Sequence, residues 1–188
     1  YRKNFAAMFG YVQNRIPEIS DELYRLDDAM KAGFGWEHGP LQIWDAIGVE
    51  AGIKLMQAEN IPVASWVTDM VSSGNTSFYT VKEGAKYYYD ISSKSQVKIP
   101  GQDSFIILDN IREAKTIWSN AGASIQHLGN GVLNVEFQSK MNTLGGEVLQ
   151  AINKGIDLAE TEYEAVIIGN QAANFSVGAN LAMAFMMA

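Results

Sequence analysis

The chain has 188 residues, enough for one ordinary domain or two small ones. It is 47% hydrophobic and 19% charged, the composition of a globular chain, which excludes wholesale disorder. A net charge of −7 argues against broad nucleic-acid or anionic-membrane binding, and the lack of cysteine excludes disulfides, thiolate zinc sites and cysteine nucleophiles.

The first hundred residues read as mostly helical. Phe5, Met8, Phe9 and Val12 recur at helical spacing, and Pro17 ends that segment. Ser20, followed by Asp21 and Glu22, is a helix start with acidic groups where the helix dipole favours them. Leu23, Leu26 and Met30 form the apolar stripe of that helix, which Gly33-Phe34-Gly35 closes. Gly39-Pro40 opens the next, with Leu41, Ile43, Trp44 and Ile47 on its inner side. Gly48 interrupts it, and Ile53, Leu55 and Met56 carry a further turn or two. A last helix is expected from Ile61 to Val71, with Val63, Trp66, Val67 and Met70 buried.

After Gly74 short β-prone runs follow: 77–79, 86–91 and 96–99, with turns at Glu83-Gly84 and Ser92-Ser93-Lys94. They predict a small antiparallel flap. Tyr87 to Tyr89 suit strand packing better than base stacking, because no basic residues are interleaved in this acidic chain.

Pro100-Gly101-Gln102 marks a boundary, and Leu108 to Trp118 reads as a connecting helix. Next come two strands joined at Asn130-Gly131, a hairpin turn. Leu144, Val148, Ile152 and Ile156 then step along a helix capped by Asn142, and Ala165 to Gly169 is a buried strand. This order of elements is an α/β pattern, and a loop after the strand should lead into another helix. The expected fold is therefore α+β overall. A helical domain with a β flap spans 1–100, a linker helix 101–121, and the incomplete start of an α/β domain 122–188.

No phosphate-cradling glycine fingerprint and no Ser-His-acid arrangement stands out. Gly33-Phe34-Gly35 lies between helices, the wrong context for a dinucleotide turn. The two histidines lie far apart. His38 is most simply a helix-start residue and His127 a surface or rim position. The strongest functional signal is Asn174 to Leu181, where a strand turns through glycine towards a helix. Such a turn exposes backbone N–H groups that suit a developing negative charge, and Gly178 allows close approach of a ligand.

Residues 175–181, Phe-Ser-Val-Gly-Ala-Asn-Leu, resemble the first oxyanion-hole segment of the enoyl-CoA hydratase (crotonase) superfamily. Val135-Glu136-Phe137, Lys140 to Leu144 and Val166 to Gly169 fall where that family has its opening strand, its Asn turn and its next strand, so the likeness covers 122–188. Asn180 departs from it, standing where the family carries aspartate. Residues 26–48, with Gly33-x-Gly35, Gly39-Pro40 and Asp45-x-x-Gly48, resemble the C-terminal helical domain of 3-hydroxyacyl-CoA dehydrogenases. In this order the two resemble the fused dehydrogenase/hydratase of fatty-acid β-oxidation.

The resemblance implies an acyl-CoA thioester as substrate and NAD as cofactor, the latter held by a domain upstream of Tyr1. It makes the Ala179 N–H the first oxyanion donor, with Val177 and Gly178 backbone on the CoA side. The second donor and the glutamates that handle water would follow Ala188, so the chain on its own is expected to be inactive. Two other readings compete. One is a non-catalytic module for dimerisation or interdomain packing; the other is a crotonase relative with isomerase or thioesterase chemistry. Nothing near Tyr1 resembles a signal peptide, and the apolar end, Ala182 to Ala188, is too short to span a bilayer. The lack of cysteines and of a targeting signal makes the cytoplasm the default location. The apolar end also suggests a piece of a larger polypeptide, and in the piece a half-built α/β domain would expose Met183, Phe185 and Met186 and drive artificial association. The expected partners are the remaining domains and a possible second copy of the chain.

Overall fold

The computed structural model describes residues 1–181 and Phe185. The chain divides into two compact units, Tyr1–Ser104 and Phe105–Ala188.

The first unit contains five helices: α1 (Arg2–Gln13), α2 (Leu23–Phe34), α3 (Pro40–Ile47), α4 (Val49–Ala58) and α5 (Ser65–Ser72). Three strands follow, β1 (Tyr79–Lys82), β2 (Ala85–Asp90) and β3 (Ser95–Lys98), paired antiparallel in the order β1-β2-β3. The flap is therefore the expected meander, and its Glu83-Gly84 turn has both residues at positive φ (52° and 78°), as a tight two-residue hairpin demands. Helix α2 closes on Gly35 in the left-handed conformation, its N–H donating to the Lys31 carbonyl.

Two helix boundaries differ from expectation. Helix α2 begins at Leu23, and Ser20 only holds the preceding turn by accepting the Glu22 N–H (3.2 Å). Helix α5 begins at Ser65 rather than Ile61. The cause is Gln13, which is buried at the end of α1: its amide donates to the Pro62 carbonyl (2.8 Å) and accepts from the Ala64 N–H (2.8 Å). Bound this way, 62–64 satisfies its backbone without a helix.

The core of this unit is aromatic. Phe9 stacks on Trp44 (4.6 Å between centroids), Trp44 meets Phe78 edge-on (5.1 Å), and Trp66 tilts against Phe78 (5.8 Å). The Trp44 indole donates to the Val49 carbonyl (3.0 Å). Gly52 lies against that ring: a Cβ there would come within 2.1 Å of Trp44 Nε1. Trp36, by contrast, is 38% exposed and lies outside this core.

The second unit is a four-stranded sheet in the order β4-β5-β6-β7, made of β4 (Thr116–Ser119), β5 (Ala123–Gly129), β6 (Val132–Phe137) and β7 (Ala165–Ile168). Helix α6 (Leu108–Lys115) precedes it, and α7 (Gly146–Thr161) crosses from β6 to β7, which pair in parallel. The connecting helix thus stops at Lys115. Thr116-Ile117-Trp118-Ser119, rich in β-branched and aromatic residues, instead forms the edge strand against β5. Ala123, Ile125, Leu133, Val135 and Phe137 form the apolar side of the sheet, where Val148 and Ala151 of α7 join them. Gly155 of α7 also approaches the sheet, since a Cβ there would meet Val135 at 2.9 Å.

Three expectations fail in this unit. Asn142 does not cap α7, whose N-cap is Gly145. Leu144 precedes α7, which begins at Gly146, and Ile156 is 42% exposed, because the buried side of α7 runs through Val148, Ala151 and Gly155. Strand β7 is not buried: Ile167 is 46% and Ile168 42% exposed, since among the described residues β7 is an edge strand paired with β6 alone. Met183 and Met186 lie outside the described residues, while Phe185 is exposed. Among the described residues no helix is long and apolar enough to cross a membrane.

Candidate functional site

Val177, Gly178 and Ala179, the residues the sequence singled out, lie in one loop that runs from the end of β7 to residue 180. The loop is exposed, yet its backbone is fixed. It lies against the turn that follows β6, where Lys140 to Asn142 make a short 3-10 turn. Met141 and Asn142 both have positive φ there (55° and 54°), an uncommon conformation for residues with a side chain.

Asn142 and Ser176 join turn and loop. The Asn142 amide donates to the Asn174 carbonyl (3.0 Å), and the Ser176 hydroxyl donates to the Asn142 carbonyl (2.6 Å). The same Ser176 oxygen accepts the Gly178 N–H (3.0 Å). One residue further on, Leu144 and Ala179 form an isolated parallel bridge. Leu144 N–H donates to the Gly178 carbonyl (2.9 Å), and Asn180 N–H donates to the Leu144 carbonyl (2.9 Å). In a parallel bridge these bonds flank the central residue, so the N–H of Ala179 itself points away from Leu144.

Gly178 has φ +93°, and a Cβ there would meet nothing within 4 Å. Glycine is demanded at this point by backbone conformation, with the space above it left open. Val177 is 47% exposed beside it. Upstream, the Asn170 amide donates to the Phe175 carbonyl (2.9 Å), and Phe175 meets Phe137 edge-on (6.1 Å). The loop is thus pinned on both sides of the exposed Ala179 N–H, and a backbone donor held in this way can receive a carbonyl oxygen without reorganising.

Beside the turn lies a cleft of about 410 Å³ lined by Asp109, Arg112, Glu136, Gln138, Asn142 and Gln171 among others. Its charges are already matched. Arg112 donates to both oxygens of the buried Glu136 (3.1 and 2.7 Å), which keeps the guanidinium firmly charged. Gln126 donates to Glu136 (2.9 Å) and accepts from Asn134 (3.0 Å), so these side chains form a satisfied polar layer on the sheet face opposite α7.

The first unit has its own titratable cluster. Asp27 of α2 is buried and accepts the Leu41 N–H (2.8 Å), the Gln42 N–H (3.1 Å) and the Tyr79 hydroxyl (2.6 Å). It therefore caps α3, whose own N-cap, Gly39, has no side chain to do so. Asp45, at the other end of α3, accepts the Phe78 and Tyr79 N–H groups (2.7 and 2.8 Å), tying the helix to β1. Burial pushes the Asp45 carboxyl up to about 6, and backbone N–H donors only partly offset it. Burial also raises Asp27 and the Tyr79 hydroxyl, and lowers Lys86, whose ammonium lies over the Tyr79 ring (4.5 Å). Every oxygen here is engaged with its own unit's backbone or with Tyr79, the pattern of a structural cluster.

His38 is exposed and belongs to no such cluster. His127 is half-buried, its ring edge-on to Tyr163 (5.2 Å) and its Nε2 buried with no partner among the described residues. Among the described residues no group of three His, Asp or Glu could hold a metal ion.

Sequence reasoning gave Ser176 no role and misplaced that of Asn142. The signal for Asn142 was its residue type, because asparagine tolerates the left-handed conformation a tight turn needs. Asp27, Asp45 and Gln13 were missed as well. Each sits four residues after a buried apolar residue (Leu23, Leu41 and Phe9), hence on the inner face of its helix, where a polar group must find a partner.

No family model and no solved structure matches the chain. Among curated proteins it is similar to a probable 3-hydroxyacyl-CoA dehydrogenase of Bacillus subtilis, 40% identical over 94% of this chain and 22% of that protein. It is also similar to a putative fatty acid oxidation complex trifunctional enzyme of Rickettsia prowazekii, 26% identical over 91% of this chain and 21% of that protein. A protein of the same description from Rickettsia felis is 25% identical over 91% of this chain and 21% of its own length. At 94% of the chain the likeness to the Bacillus protein takes in both units, while the chain spans about a fifth of the length of these relatives.

Proposed function

We propose that this chain is the junction of a bifunctional β-oxidation enzyme. Its helical unit would belong to a 3-hydroxyacyl-CoA dehydrogenase and its second unit to the start of an enoyl-CoA hydratase. The observation that carries this reading is the Ala179 N–H, aimed away from its bridge partner on a loop pinned by Asn142 and Ser176. The names of the relatives, dehydrogenase and fatty acid oxidation enzyme, support the same substrate class, an acyl-CoA thioester.

In this reading the thioester carbonyl of an enoyl-CoA accepts the Ala179 N–H. Negative charge gathers on that oxygen when water adds to the β-carbon, and a fixed donor in a dry site stabilises it more than water does. Val177 and Gly178 would offer their backbone to the CoA portion, where the open space above Gly178 admits close approach. A second donor and the carboxylates that activate water would come from polypeptide beyond Ala188.

NAD would supply the hydride acceptor for the dehydrogenase. The described residues do not fit it: Gly33-Phe34-Gly35 closes α2 instead of joining a strand to a helix, so no step here runs through the cofactor. The 188 residues alone are expected to be inactive. The location we infer is the cytoplasm, and a second copy of the chain is a possible partner.

The test is to assay the full-length polypeptide that carries this sequence. Hydration of crotonyl-CoA and NAD-linked oxidation of 3-hydroxybutyryl-CoA should both occur. Oxidation without hydration would remove the hydratase half of the reading, and neither activity would leave a packing module.

A further inference from the structure

We infer that Ser176 is a positioning residue for the Ala179 donor, acting through a hydrogen-bond relay that starts at Asn142 in its left-handed turn. This rests on the proposal that Ala179 holds a thioester oxygen. The hydroxyl of Ser176 does two things at once. It donates to the Asn142 carbonyl at 2.6 Å and accepts the Gly178 N–H at 3.0 Å. With its one proton given to Asn142, its lone pairs face the Gly178 N–H, so both bonds are satisfied in a single orientation. The second bond fixes the peptide that precedes Gly178, and the Gly178 carbonyl is fixed in turn by the Leu144 N–H (2.9 Å). That carbonyl belongs to the same planar peptide as the Ala179 N–H. Fixing its oxygen therefore fixes the direction of the donor hydrogen.

The Leu144 bond holds Gly178 on one side only, and the Ser176 hydroxyl holds the peptide on the other, so the glycine cannot turn between them. Its φ of +93° lies in a region glycine leaves easily, and nothing packs within 4 Å of where a side chain would stand. With no side chain of its own to pack there, the backbone at Gly178 is held by its hydrogen bonds to Ser176 and Leu144. The Asn142 carbonyl is a rigid anchor, since Asn142 is buried and its side chain is itself engaged with the Asn174 carbonyl. Ser176 thus transmits the geometry of the 139–144 turn to a peptide three residues away along the loop.

The experiment compares Ser176→Ala and Ser176→Thr in the full-length polypeptide, using crotonyl-CoA hydration and the Raman carbonyl stretch of a bound, non-reacting acyl-CoA thioester. Ser176→Ala should lower kcat by about 10- to 100-fold, because a donor displaced by a fraction of an ångström loses much of its effect, while KM moves less than about threefold. The carbonyl stretch should move back towards its value in water, and Ser176→Thr, which keeps the hydroxyl, should restore both. Alanine with wild-type kcat and stretch would overturn the relay, as would a fall in kcat with an unshifted stretch, the result expected of a merely structural role. A wild-type protein that neither hydrates crotonyl-CoA nor shifts the stretch would instead refute the Ala179 reading itself.

Discussion

The two units use their buried polar groups in opposite ways. In residues 1–104, Gln13, Asp27 and Asp45 all turn inward and bind their own unit's backbone, closing helix ends and loop peptides around an aromatic core. In residues 105–188 the sheet is held by a satisfied polar layer on one face, yet the loop after β7 leaves an N–H aimed outward and β7 leaves apolar side chains exposed. Polar groups that complete one another hold a fold. A fixed polar group left over is what a ligand can use. Burial raises the Asp27 and Asp45 carboxyls although every oxygen is engaged within their own unit, so perturbed acidity alone does not mark a ligand site here.

Four perturbations probe the difference between the units. Trp36, Trp44 and Trp66 lie in the first unit, so in a Trp118→Phe background tryptophan fluorescence reports that unit alone. The largest effect is expected from Asp27→Ala, which strands the Leu41 and Gln42 N–H groups and the Tyr79 hydroxyl. It should cost about 3 kcal/mol or more in urea unfolding read by that fluorescence. An effect below about 1 kcal/mol would show that the α3 terminus is held by something else.

Gly52→Ala should cost about 2 kcal/mol by the same measurement, because its Cβ cannot fit against Trp44 without moving a ring stacked on Phe9. Next is pH. The folded carboxyl of Asp45 titrates near 6, above its ordinary value of 3.8, so the folded unit takes up a proton before the unfolded chain does. Its stability should therefore rise as pH falls through 6 towards 4. The gain from pH 7 to pH 5 should be about 1 kcal/mol from Asp45, so Asp45→Asn should show a smaller gain, with what is left coming from Asp27, whose carboxyl burial also raises. A wild-type and Asp45→Asn pair with parallel pH profiles would contradict it. The smallest effect concerns the second unit. His127→Phe keeps the edge-on contact with Tyr163 and removes the buried, unpartnered Nε2, so amide exchange of β5 and β6 should slow by no more than about 1 kcal/mol. Faster exchange would mean that the nitrogen has a partner in solution.

Much of this was legible in the sequence where a local rule decides the outcome. Gly35 closing α2, Pro40 opening α3, the Glu83-Gly84 and Asn130-Gly131 turns and the three-stranded flap all follow from backbone preferences of particular residues. The failures came where a distant partner decides. Residues 61–64 read as helix because nothing local reveals that Gln13, some fifty residues earlier, will bind their backbone. Residues 116–119 read as helix until β5 is there to pair with them. The apolar run of β7 suggested burial, but burial depends on neighbours and not on composition. At the candidate site the glycine turn announced an exposed N–H. The partners that aim it, Asn142 and Ser176, are more than thirty residues apart and could not be paired by spacing.

The most direct test of the central claim replaces a single atom. In the full-length polypeptide, Ala179 is exchanged for lactate by ester ligation, so that its N–H becomes an oxygen and no side chain changes. Crotonyl-CoA hydration should fall by about 10²–10³ in kcat, with NAD-linked oxidation of 3-hydroxybutyryl-CoA unaltered. Hydration at the wild-type rate would contradict it and leave the outward N–H of Ala179 without a role in catalysis.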